Sequence, residues 1–130
     1  MKRKKVVYIF CCLLIIFSSL TVLGQKSKCT DFKNGTFEYL VSDKSLPKAV
    51  STRTDSIQID SYSDKKIEFK SKINWLTECR YELECISVNK PSENSQIGEK
   101  VIVQIDKIEG KKAFCHYEYD DGTIREFIII

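Results

Sequence analysis

The sequence predicts an all-β fold, an antiparallel meander of seven or eight short strands closing into a small lipocalin-like barrel. Three observations carry that prediction. Apolar and polar residues alternate with a period of two over most of the chain, which is how a half-buried strand reads. Turn signals recur between the alternating segments, as at Asn34-Gly35, Ser63-Asp64-Lys65, Gly110-Lys111-Lys112 and Asp121-Gly122. No segment combines an N-cap with a 3.6-residue apolar stripe. A meander without helices hides its apolar face and its edges by closing on itself.

The clearest element is the hairpin from Ile67 to Val88. Ile67, Phe69, Ile73 and Trp75 alternate with Glu68, Lys70, Lys72 and Asn74, and after Leu76-Thr77-Glu78 the pattern resumes at Cys79, Tyr81, Leu83 and Cys85. With those three residues as the loop, Trp75 faces Cys79, Ile73 faces Tyr81 and Phe69 faces Cys85. Lys72 then meets Glu82, and Lys70 meets Glu84, on the other side. A one-residue slip would send the aromatics to water.

The other elements follow in order. Thr36 to Val41 is rich in strand formers. Ser42 to Lys48, with Pro47, is a loop. Ala49 to Arg53 is a short strand, and Ser56 to Tyr62 alternates. After Val88, NKPSENSQIG concentrates Pro, Ser, Asn and Gly and forms the longest loop. Lys100 to Ile108, Ala113 to Tyr119 and Thr123 to Ile130 are strands. With Asp121-Gly122 as a two-residue loop, Tyr119 faces Ile124, Tyr117 faces Glu126 and Cys115 faces Ile128. With Gly110 to Lys112 as the preceding loop, Val103 faces Tyr119, Ile105 faces Tyr117 and Asp106 faces His116.

Residues 1–24 read as a secretory signal peptide: a basic MKRKK start, an apolar run from Val6 to Leu23, and Gly24 before the cut. The rival is an uncleaved anchor, since 18 residues is a short membrane span. A membrane is a partner only in that case. Either way the expected location is exported, periplasmic or extracellular. Residues 25–35 form a polar arm and 36–130 the barrel domain. Four of the 21 basic residues precede Gly24 and no acid does, so the rest carries 17 basic against 18 acidic residues, a net of −1. That balance lacks the basic footprint of a nucleic-acid binder.

Cys11 and Cys12 belong to the leader. Of Cys29, Cys79, Cys85 and Cys115, the second and third lie six apart on one strand, roughly 20 Å, beyond disulfide reach. If the strand over 78–88 pairs with that over 100–108, Cys115 is two strands from Cys85, about 10 Å away. Cys29, on a free arm, can reach Cys79. The expected disulfide is Cys29–Cys79, with Cys85 and Cys115 buried thiols, or paired if the sheet bends sharply. No Cys-x-x-Cys pair supports a zinc site, and no metal or other cofactor is implied.

The candidate ligand-binding residues are Glu126, Tyr117, Tyr119, Tyr81 and Trp75. A carboxylate among phenols inside a barrel orients a polar ligand group. The plainer reading puts Glu126 at a rim or inward on an edge strand as a guard against aggregation, and makes the aromatics core. His116 is the sole histidine. A hydrolase would have to use it with Asp106, but no nucleophile motif accompanies it, and an exposed cross-strand pair explains it as well. No residue is assigned a catalytic role.

CTDFKNGTFEYLV, STRTDSIQI, INWLTECRYEL and SQIGEKVIVQI resemble a family of small exported proteins from Bacteroidota-type bacteria, over most of residues 29 to 130. The resemblance is structural and implies no activity. Some members carry the label DNA topoisomerase IV, which this chain does not fit: it is far too small for an ATP- or DNA-gate domain and shows no acidic metal cluster or basic groove. The outline is also similar to lipocalin-like barrels, without their Gly-x-Trp start. The expected function is therefore a non-enzymatic exported module binding a small apolar ligand in the barrel. The alternative is an envelope protein with a filled core, docking a protein or glycan through Phe127 and Ile129.

Overall fold

Odd-numbered apolar residues around Trp75 put one face of a long hairpin in the core, and the structure closes that face into a barrel. The structure, a computed structural model, describes residues 27–40 and 48–130. The leader over 1–24, Cys11, Cys12 and most of the loop expected over Ser42–Lys48 lie outside the described residues. Eight strands run in chain order: β1 Gly35–Leu40, β2 Ala49–Arg53, β3 Ile57–Tyr62, β4 Ile67–Thr77, β5 Arg80–Val88, β6 Lys100–Glu109, β7 Lys112–Glu118 and β8 Ile124–Ile129. Each pairs antiparallel with its neighbour, and β8 returns to β1 to close the barrel. That seam is short: Tyr39 faces Ile129 and Leu40 faces Ile128, with reciprocal backbone bonds of 2.8 and 3.1 Å between Glu38 and Ile130.

The inward faces of β4 to β8 supply the apolar core. Ile73, Tyr81, Leu83, Val103, Ile105, Ala113, Cys115, Phe127 and Ile129 are all buried. Burying one such aliphatic or aromatic side chain contributes about 1.5–3 kcal/mol relative to leaving it exposed.

The central hairpin keeps its expected face but not its expected partners. β4 continues through Thr77, and Glu78 and Cys79 make a two-residue turn. Trp75 therefore faces Tyr81, Ile73 faces Leu83, and Lys72 faces Glu84. The pairing has moved by two residues, an even number, so every side chain stays on its predicted side. Leu76 is the extra residue that makes this possible, and Ile86 is a second on β5, because the register shifts at both places. Both point to solvent. A third irregularity falls at Asp106 in β6, where the turn into β7 is Gly110-Lys111 rather than three residues. Such bulges sharpen local twist and bend, which a sheet needs in order to close.

The last hairpin is different, because there the shift is odd. Tyr119 N–H donates to Thr123 O at 3.0 Å, so the loop is Asp120-Asp121-Gly122, with Gly122 at a positive φ of 84°. That is the three-residue hairpin loop ending on a left-handed glycine, not the two-residue turn. Tyr117 now faces Arg125, His116 faces Glu126, and Cys115 faces Phe127. One residue of slip inverts β8: Phe127 and Ile129, expected outside, are buried, and Glu126, expected inside, is exposed. The docking surface expected through Phe127 and Ile129 does not exist.

The arm is not free. Cys29–Phe32 forms a 3-10 turn across one end of the barrel, with Cys29 and Phe32 buried. Cys29 bonds Cys79 in the β4–β5 turn, with Cα atoms 5.1 Å apart. Phe32 packs against Phe37 with ring centroids 5.6 Å apart, its carbonyl accepts from Arg53 Nη1 at 3.3 Å, and Lys33 Nζ lies 4.7 Å over the Trp75 ring. Cys85 and Cys115 are free thiols. The bond spans 50 residues, a loop whose closure removes about 4 kcal/mol of chain entropy from the unfolded state in the loop-entropy model. The expected outcome of Cys29→Ser together with Cys79→Ser is a loss of about 2–5 kcal/mol of unfolding free energy, read from urea denaturation with the slope fitted separately for each protein, since the uncrosslinked unfolded chain exposes more surface.

Candidate functional site

With one end stoppered, access is from the opposite end, where β1, β3, β5 and β7 finish and β2, β4, β6 and β8 begin. Three recesses open there, one of them, about 620 Å³, on the outer rim between residues 95–100 and 119–121. A cavity of about 210 Å³ runs inside the barrel, with Asp60, Tyr62, Phe69, Tyr117 and Tyr119 on its wall. Beside it a recess of about 610 Å³ lies along the β1–β4 side, against Tyr39, Ala49, Tyr62 and Ile67. Tyr62 lines both.

The inward faces of β2 and β3 position the polar groups. Ser51, Arg53 and Gln58 are buried, and the pairing sets Ser51 opposite Asp60 and Arg53 opposite Gln58. Asp60 accepts from Gln58 Nε2 at 2.8 Å and from the Tyr39 hydroxyl at 3.2 Å, and Gln58 Nε2 also reaches the Tyr39 oxygen at 3.2 Å. Asp60 keeps some surface toward the cavity. Its surroundings are nonetheless dry enough that burial pushes its carboxyl above the ordinary range, against the pull of its hydrogen bonds to Gln58 and Ser51 and of the Arg53 charge. Burial likewise raises the Tyr62 phenol to about 12, helped by the Asp60 charge.

Arg53 sits deeper, 2% exposed. Its guanidinium lies 5.2 Å from the Tyr81 ring and 5.4 Å from that of Phe37, and its Nε reaches Ser51 Oγ at 3.4 Å. Its Nη2, the Gln58 Oε1 and the Tyr81 hydroxyl are buried with no hydrogen-bond partner in the protein. An unpaired buried polar group costs about 1–3 kcal/mol. These polar groups run along the inner face of β2 and β3 from the stoppered end, where Arg53 meets Phe32, to the mouth cavity, where Asp60 lines the wall.

The five expected ligand-binding residues are dispersed by this arrangement. Tyr117 and Tyr119 line the inner cavity, 6.0 Å apart between centroids. Tyr81 is fully buried and Trp75 stacks on it at 4.5 Å, toward the stoppered end. Glu126 is outside altogether, for the reason of register given above. The carboxylate the cavity does hold is Asp60, and neither it nor Arg53 stood out in the sequence. Ile57 and Ile59 draw attention as the apolar residues of that strand, yet Gln58 and Asp60 are the inward pair, with Gln58 wholly buried. Inward Ser51 and Arg53 opposite them on β2 are the matching signal.

The outer surface carries a second polar cluster. His116 Nδ1 lies 2.6 Å from Asp106 Oδ2, and Nε2 lies 3.1 Å from Glu118 Oε1. Carboxylates only accept, so this geometry suits an imidazolium with both protons. Arg80 clamps Glu118 at 2.9 and 2.6 Å from β5 and reaches Gln104 at 3.2 Å, while Glu126 faces His116 from β8. The Arg80 and His116 bonds hold the Glu118 carboxyl down at about 2. The Asp106 hydrogen bond raises the His116 pKa above its ordinary 6.5. Among the described residues no group of three or more His, Cys, Asp or Glu side chains is placed to hold a metal ion.

No protein-family model, no curated protein and no solved structure matches the chain.

The folded imidazole binds its proton more tightly than the unfolded one, so its contribution to stability is complete below pH 6.5 and fades as pH rises through the folded value. The expected outcome is that wild type exceeds His116→Gln in unfolding free energy at pH 6, with the gap closing toward pH 9. Urea denaturation across that range measures it, and proton NMR of the imidazole gives the raised titration directly.

Proposed function

We propose that this protein is an exported, non-enzymatic barrel that takes a small ligand through its open mouth. The observation that carries the reading is the inner cavity: one end of the barrel is stoppered, and the other opens onto a carboxylate set among aromatic rings. Binding sites are concave, mostly apolar and furnished with a few placed polar groups. At about 210 Å³ this cavity is below the roughly 300–1,000 Å³ of drug-sized ligand sites. The occupant is accordingly small, or continues past Tyr62 into the neighbouring recess. Asp60 at the wall shifts the ligand from purely apolar to one with a polar group on an apolar body. A Cys29–Cys79 disulfide suits an oxidising compartment, and the basic, then apolar, leader supplies the export route.

Binding is favoured over hydrolysis by the state of His116. A general base needs a free nitrogen beside a nucleophile, and both of its ring nitrogens face carboxylates.

Native mass spectrometry of the protein purified from its own cell envelope is the decisive measurement. The expected spectrum shows one disulfide and a second, heavier species that loses a small molecule on collisional activation. Bare polypeptide in every preparation would overturn the proposal.

A further inference from the structure

The geometry points to a small organic cation, an amine or quaternary ammonium, as the ligand class of the inner cavity, held by Asp60 and by the faces of Tyr62, Phe69, Tyr117 and Tyr119. This rests on the small-ligand reading and narrows it.

Charge comes first. Among the described residues Asp60 and Glu99 are the carboxylates that line the cavity, and Asp60, the deeper of the two, forms no salt bridge with any described residue. Arg53 is an interior cation, with Nη1 directed to Phe32 O, Nε to Ser51 Oγ, its guanidinium between two rings, and Nη2 left without a protein partner. Lys100 stands on the rim, but its Nζ is drawn to the outer face by Glu82 at 3.4 Å and Glu84 at 3.7 Å. Glu99 on the same rim adds a further negative group. The hydrogen bonds from Gln58, Tyr39 and Ser51 leave part of Asp60's acceptor capacity, about four lone-pair sites in a carboxylate. A cation arriving from the mouth adds a counter-charge on the open side of this half-dry carboxylate, beyond the pull that Arg53 exerts from the closed side, whereas an anion meets repulsion and an apolar molecule strips its remaining water without replacement.

Ring geometry comes second. Tyr62 and Phe69 meet edge to face, with centroids 5.8 Å apart and planes at 84°, and Tyr117 and Tyr119 stand across the cavity at 44° to each other. Tyr117 has one face stacked on Phe127 at 4.2 Å and Tyr119 has the Arg125 guanidinium 5.8 Å over its ring, so the cavity offers an ammonium group the Tyr62–Phe69 pair and the faces of Tyr117 and Tyr119 left uncovered. The space equals about seven water molecules at ~30 Å³ each in the liquid, which suits an alkylated ammonium and excludes a lipid or a porphyrin.

Isothermal titration of the mature, disulfide-bonded protein tests this with two probes of the same shape, choline and its uncharged carbon isostere 3,3-dimethylbutan-1-ol. Choline is expected to bind about tenfold or more tightly than the isostere, the margin of a desolvated cation–π contact with a counter-charge. Asp60→Asn is expected to abolish that preference. Tyr119→Ala, at an exposed rim position that leaves the core intact, is expected to weaken choline by about two- to fivefold. Equal binding of the two probes, or unchanged choline affinity in Asp60→Asn, overturns the cation assignment and leaves the small-ligand reading standing. No binding of either probe overturns the assignment as well. A bare spectrum from native mass spectrometry would then remove the broader reading with it.

Discussion

The bond between Cys29 and Cys79 decides which end of this barrel is open. It ties the arm to the β4–β5 turn and so holds Phe32 over the barrel's end, where Arg53 can cap its carbonyl. Without that anchor a four-residue 3-10 turn has too few contacts to stay in place, since short segments gain little against the entropy of ordering them. With it, Trp75, Tyr81 and Phe37 acquire a lid, and the stoppered half becomes a core. Arg53 reaches down to Phe32 and up to Ser51, and its burial is tolerable because rings flank it and polar atoms meet part of it.

The polar strip on the inner face of β2 and β3 runs from that capped carbonyl to the mouth. From β4 to β8 the inward side chains are almost all apolar below the mouth, and they pack as any small barrel packs. From β1 to β3 they are Tyr39, Ser51, Arg53, Gln58 and Asp60, which no apolar core would choose. A half-satisfied polar network is less stable than an apolar one of equal volume, and this one leaves two buried atoms, Arg53 Nη2 and Gln58 Oε1, without protein partners. The set lies on three adjoining strands, and its Asp60 reaches the wall of the inner cavity and its Tyr39 the recess beside it.

The fold was legible because its signal is redundant. Each strand repeats the same two-residue period, so an error in one loop leaves the rest intact. The central hairpin shows the forgiving case: a misread turn moved its pairs by two residues, and Ile73, Trp75, Tyr81 and Leu83 still point inward. The last hairpin shows the unforgiving one. Asp121-Gly122 reads as a two-residue turn, but the chain spends three residues there, and the single extra residue exchanges Glu126 for Phe127 on the inner face. The disulfide was legible in part: strand spacing spoke against Cys79–Cys85 and Cys85–Cys115, and an arm carrying Cys29 could reach Cys79, the bond the structure forms.

The cavity was much less legible than the barrel. Tyr117 and Tyr119 were visible because aromatic alternation marks an inner face, whichever register the neighbouring strand takes. Asp60 was not, because in β3 the apolar residues occupy the partly exposed side and the polar ones the interior. Hydrophobic patterning assumes that the buried side is the greasy side. A strand that breaks this rule opposite another that breaks it, Ser51 against Asp60 and Arg53 against Gln58, keeps the broken pattern only if those groups solve some problem other than stability. In this barrel the pattern breaks on β2 and β3 and holds from β4 to β8, and Asp60 is where the broken pattern reaches the cavity wall.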